Sequence, residues 1–199
     1  MLHQISRFYR LLLLVCVIGL VALIWPNVAL AAGNLNLAAH KSRLQLDQPP
    51  SEPAQVLDVR KQFVAAKKQA DAPKTREVVV TGQIGGMPNI WPETHPDYPW
   101  YQGQASFFLV DNKVAAQFAA HVRHHGGGEA CAFCKSLAAK NAHAVAVVNL
   151  VDEQGQILRV DSREVLDLKQ NQTVTIRGKA KLLAGSMLVI DADGIFVPR

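Results

Sequence analysis

Five side chains in one short stretch have the chemistry of transition-metal ligands: His121, His124 and His125, then, after Gly126-Gly127-Gly128, Cys131 and Cys134. On a helix, His121 and His125 stand four residues apart and share a face, and His124 lies one turn from His121 as well. A His-x3-His or His-x2-His pair joined to Cys-x2-Cys offers four donors at the spacings tetrahedral sites use, with the remaining histidine as a further nitrogen ligand or an outer partner. The order is the reverse of a zinc finger's. Coordination depends only on reach, and three consecutive glycines let the chain double back. Thiolate and imidazole together suit Zn²⁺ and, in an exported protein, Cu(I); zinc is the first expectation and copper the alternative.

Each residue type also has an ordinary use. Histidines at a helix end are commonly solvated cations on the C-terminal dipole, and two cysteines in an oxidising compartment commonly form a disulfide. Cys131 also heads a predicted helix over 131–140, where the dipole would lower its pKa and give a reactive thiolate. A thiol oxidoreductase sets this motif just after a strand in an αβ fold, whereas here it falls in an insertion in a β domain. Covalent haem attachment needs His after the second Cys, and Lys135 stands there. The presence of all the donors within 14 residues favours metal over disulfide, and disulfide over redox catalysis.

The elements that must position these donors are mostly strands. β-branched or apolar runs fall at 77–84, 106–110, 144–151, 173–180, 187–190 and 194–197. Asp152-Glu153-Gln154-Gly155 predicts a hairpin turn into a further strand at 156–160. In 173–180 the alternation puts Val174 and Ile176 inside and Thr173, Thr175, Arg177 and Lys179 outside. Asp161 and Glu164 stand at capping-box spacing ahead of one short helix. Asp191 and Asp193 read as turn residues. The expected fold class is mainly β, a small OB-like Greek-key barrel with a helix between its third and fourth strands. The donors lie in an insertion, 112–143, whose first part carries Val114, Ala115, Phe118 and Val122 as a helical apolar stripe over 113–125.

Upstream, Arg7 and Arg10 precede an apolar run of 14 residues, Leu11 to Ile24, which ends near Ala29-Leu30-Ala31. A helix that spans a bilayer needs about 20 residues, so 1–31 is expected to be a signal peptide, and Val15 before Cys16 argues against lipidation. The expected location is periplasmic or extracellular, with membrane contact only through an uncleaved signal segment. Residues 32–75, rich in proline, are expected to be linker around a short amphipathic helix with Val56, Val59, Phe63 and Ala66 on one face. The barrel domain is 76–199. Removing Arg7 and Arg10 from 21 basic residues leaves 19 against 16 acidic, a net +3 with the basic residues scattered, which argues against nucleic acid as a partner.

The loop from Met87 to Tyr101 sets Trp91, His95, Tyr98, Trp100 and Tyr101 among four prolines. It joins the first two barrel strands, so Trp91, Trp100 and Tyr101 are candidates for stacking on a ligand or for covering the barrel. No paired carboxylates, Ser/His/Asp arrangement or phosphate loop stands out, and a non-enzymatic module is expected. The alternatives are an OB-type binding module for an oligosaccharide, nucleic acid or protein, and a Cys-x-x-Cys redox protein. No protein partner is indicated.

The segments 79–86, 131–135, 151–155, 174–180 and 190–197 are similar to a family of uncharacterised exported bacterial proteins with an OB-like barrel and a Cys-x-Phe-Cys insertion. The similarity runs from about Glu77 to the C-terminus. It implies the fold and the export, and it brings no activity. Relatives often carry Pro after the first Cys, where this chain has Ala132, which weakens a redox reading built on that proline.

Overall fold

The computed structural model describes residues 37–66, 73–125, 131–183 and 187–198, with the backbone alone at His124 and His125. The expected signal segment, 1–31, and the glycine run, 126–128, lie outside the described residues. The chain divides into two units, Met1–Ala39 and His40–Arg199. Of the first, residues 37–39 are described and are helical. All that follows concerns the second.

That unit opens with helical residues 40–44 (α1). The strands are β1 (Ala54–Gln55), β2 (Thr75–Ile84), β3 (Ser106–Val110), β4 (Val145–Leu150), β5 (Thr173–Leu182) and β6 (Leu188–Phe196). The further helices are α2 (Val56–Ala66), α3 (Asn112–His125), α4 (Ala132–Lys140) and α5 (Ser162–Leu166). Five strands close in the order β2-β3-β4-β6-β5, with β5 returning to β2 from Thr75↔Lys181 to Gln83↔Thr173. Only β4 and β6 pair in parallel within the barrel. The helix between the third and fourth barrel strands is α5. The molecule is thus mainly β, with a small closed barrel of OB type.

Alternation along the strands explains where the core sits. Phe107 and Leu109 on β3, with Ala146 and Val148 on β4, face inward with Ile176 and Ile190, all fully buried. The opposite face of the same strands, carrying Phe108, Val110, Val145 and Val147, is equally buried, because Met87, Val114, Ala115, Phe118 and Ala138 pack over it. The insertion is therefore a second layer on the outside of β3 and β4, which leaves both strands buried throughout.

Several expectations are corrected. Residues 156–160 do not form a strand: the turn at 152–155 is present, but only Ile157 bridges Val151. The returning chain pairs only with the end of β4, where Asp152 N–H donates to the Gln156 carbonyl at 2.8 Å and Leu158 N–H to the Leu150 carbonyl at 3.0 Å. The rest of β4 has both edges taken by β3 and β6, and the chain turns into α5. The two last predicted strands are one, β6, with a bulge opposite Arg177/Gly178. Asp191 and Asp193 lie within that strand rather than in a turn: Asp191 accepts from Asn149 Nδ2 at 2.9 Å and Lys181 Nζ at 2.6 Å, and Asp193 from Arg177 Nε at 2.7 Å. Thr175, expected outside, is buried.

The stretch expected to be linker is anchored to the barrel. Leu44 is fully buried, Gln45 bridges Ile195, Leu46 N–H donates to the Ile195 carbonyl at 2.8 Å, and Arg43 donates to the Val151 carbonyl. Ala54 and Gln55 pair with Val80 and Thr81 of β2. The amphipathic helix is α2, with the expected four residues buried.

Candidate metal centre

The position of α3 is set from its first residue. Asp111, 1 % exposed, accepts the Lys113 N–H on Oδ1 at 3.0 Å and the Leu57 N–H on Oδ2 at 3.1 Å. One carboxylate therefore caps the first turns of both α3 and α2, taking up N–H groups that a helix start leaves without an internal partner. Gln55 Oε1 adds a contact to Asn112 N–H at 3.3 Å. From that fixed start, Val114, Ala115 and Phe118 bury against the barrel, and His121 follows one turn later at the margin of the buried face. Val122, the last residue of the predicted stripe, is 44 % exposed.

Helix α4 supplies the sulfurs. Cys131 is its N-cap residue in extended conformation, and its Sγ accepts the Cys134 N–H at 3.2 Å. Cys134 lies inward, 1 % exposed, with Ala138 fully buried one turn on. Asn141 closes the helix, its Nδ2 donating to the Leu137 carbonyl at 2.9 Å. The two helices meet at their site ends: the rings of His121 and Phe133 have centroids 5.0 Å apart.

One ligand atom each from His121, Cys131 and Cys134 falls within 4.8 Å of the others. Sulfurs on a tetrahedral zinc at about 2.3 Å from the metal stand about 3.8 Å apart. The pair is electrostatically unequal. The Cys134 thiol donates to Cys131 Sγ, and together with the Cys134 N–H this holds Cys131 below the ordinary thiol range. That same donated bond, and then burial, push Cys134 up. The arrangement offers two sulfurs and one imidazole nitrogen, which leaves one tetrahedral position for another donor. The side chains of His124 and His125 lie outside the described part of the structure.

The aromatic candidates have other surroundings. Trp100 is buried, bridges Phe107 and lies under the Arg163 guanidinium at 5.5 Å. Trp91 stacks on Phe108 at 5.1 Å, and Tyr101 meets the same ring at 5.1 Å. Trp91 and Tyr101 also line a cavity of about 450 Å³ with Lys181 and Met187. OB barrels commonly bind ligands on the face of their second and third strands; here that face is the one covered by α3 and the aromatic loop. The sequence pattern does not single out Asp111, whose partner Leu57 is 54 residues away. A comparison with known protein families and with curated proteins finds no match to this chain.

Proposed function

We propose that the protein is an exported, non-enzymatic metal-binding module in which His121, Cys131 and Cys134, with His124 or His125 as the fourth donor, hold zinc, copper(I) being the alternative. The observation that carries the reading is the approach of one imidazole and two sulfurs to within 4.8 Å from two separate helices. Either metal accepts this donor set. The test is elemental analysis with a thiol count on residues 32–199, reduced, incubated with zinc and dialysed. One equivalent of zinc is expected, falling below a tenth in Cys131→Ser or Cys134→Ser, with at least tenfold weaker binding in His121→Ala. A correctly folded wild-type chain that retains less than a tenth of an equivalent of either zinc or copper overturns the reading.

A second reading is favoured by one asymmetry: Cys131 is partly exposed at a helix N-cap while Cys134 is buried behind it. The Cys131 thiolate would attack a disulfide of another protein and expel one thiolate. Cys134, its proton passing to the partner thiolate already expelled, would then attack Cys131 Sγ and expel the partner's other sulfur, so that this chain ends with a Cys131–Cys134 disulfide and the partner carries two reduced sulfurs. Rapid, metal-independent reduction of a small disulfide by the wild-type dithiol, absent in Cys131→Ser, is its signature.

A further inference from the structure

Behind Cys134 lies a cavity of about 540 Å³, within the range of small-molecule sites. Met87, Ala115, Phe118 and Val122 make up much of its wall, and Cys134 forms part of it. Two of its polar groups are already engaged: Gln83 Nε2 donates to the Asn171 carbonyl at 2.6 Å, and Asn89 Nδ2 to the His95 carbonyl at 2.8 Å. Tyr98 is different. It lines the cavity, and its hydroxyl is buried with no hydrogen-bond partner among the described residues. A buried O–H without an acceptor is unfavourable, and native structures rarely leave one. Burial also pushes the phenol up, so it stays a donor at every ordinary pH.

Among the described lining residues the single charged side chain is Arg123, whose Nε donates to the Ala119 carbonyl at 3.3 Å one turn back along α3. No carboxylate is among the described residues of the wall. The occupant indicated is therefore apolar in body, carries an acceptor for Tyr98 and bears negative charge.

We infer that this cavity binds a small organic anion with an apolar body, of the class of aryl or medium-chain alkyl carboxylates, beside the Cys134 sulfur. The body lies among Met87, Phe118 and Val122, the Tyr98 hydroxyl donates to an acceptor oxygen, and Arg123 supplies the complementary charge. The site depends on the cavity alone and stands whether or not the cysteines hold a metal.

The probe is 8-anilinonaphthalene-1-sulfonate, titrated into residues 32–199 with and without zinc, followed by displacement with octanoate or octanol. Saturable one-to-one binding is expected, with octanoate displacing the dye at least tenfold better than octanol. Ala119→Phe adds a ring to an exposed position in the cavity wall and should weaken dye binding at least tenfold. Tyr98→Phe, which removes one oxygen atom, should weaken octanoate at least threefold, and Arg123→Gln should lessen its advantage over octanol. Circular dichroism of each variant checks the fold, and zinc content is read separately, so loss of metal and loss of ligand are distinguishable. Non-saturable dye binding by wild type, dye binding unchanged in a folded Ala119→Phe, or equal displacement by octanol and octanoate overturns the inference.

Discussion

At the scale of single residues, the cysteines differ in ways their chemistry can report. In the metal-free protein Cys131 is held below the ordinary thiol range by the bonds it accepts from Cys134, and Cys134 is held above it. The two act oppositely on stability. A depressed group stabilises the fold above its unfolded pKa, an effect lost as pH falls through the folded value; a raised group stabilises below its unfolded pKa and loses this as pH rises through its folded value. Reactivity is the cleaner readout. Iodoacetamide should label Cys131 first, with a rate midpoint below that of a free thiol, and Cys134→Ala, which removes the donated S–H, should move that midpoint upward. Equal labelling of both sulfurs, or a midpoint unmoved in Cys134→Ala, would show that the asymmetry is not carried by their hydrogen bond. The three side chains that converge were legible because types and spacing are local: His121, Cys131 and Cys134 could be named from the sequence as candidate donors. The wall of the cavity beside them could not, since Met87, Tyr98, Phe118 and Cys134 come from separate segments and only tertiary packing joins them.

At the scale of elements, Asp111 links the part of the chain expected to be linker to the helix that carries His121. Each cap contributes about 0.5–2 kcal/mol, and one buried side chain serves two. Asp111→Ala should therefore lower stability by about 2–3 kcal/mol in a urea melt, with faster amide exchange at both Leu57 and Lys113. Faster exchange at only one of them would mean that the helices start independently. The legible elements were those with a strong local period: the stripe of α2, the β-branched run of β2, and the Asp161 cap of α5, whose Oδ1 accepts the Arg163 N–H at 2.8 Å. The misread ones depended on partners. Residues 156–160 have strand-forming side chains but find a free edge only at the last residues of β4, while Leu44 and Leu46 meet the barrel as single residues before Pro49 and Pro50, with no periodicity to reveal them.

At the scale of the whole molecule, the barrel and the candidate metal site meet through one surface. Barrel closure requires β5 and β6 to approach so closely at Gly178 that a Cβ there would lie 2.3 Å from the Asp191 carbonyl oxygen. Gly178→Ala should destabilise by about 3 kcal/mol or more. Gly155, at φ +77 with open space around it, should lose only about 1 kcal/mol on the same change. Similar urea midpoints for the two variants would mean that the β5–β6 approach does not govern stability. The insertion holds to the outside of this barrel by Val114, Ala115, Phe118 and Ala138, and the donors stand beyond that contact on two different helices. An unfolded chain has no such convergence, so a bound metal adds its binding free energy to folding. At one hundred times its dissociation constant, zinc should contribute about 2.7 kcal/mol and raise the Tm of this unit by about 5–10 °C. The Cys131→Ser, Cys134→Ser double variant should melt at the same temperature with or without zinc. If the double variant gained as many degrees as wild type, the metal would be acting at some other surface, and the link between the helical layer and the barrel would have to be carried by apolar packing alone.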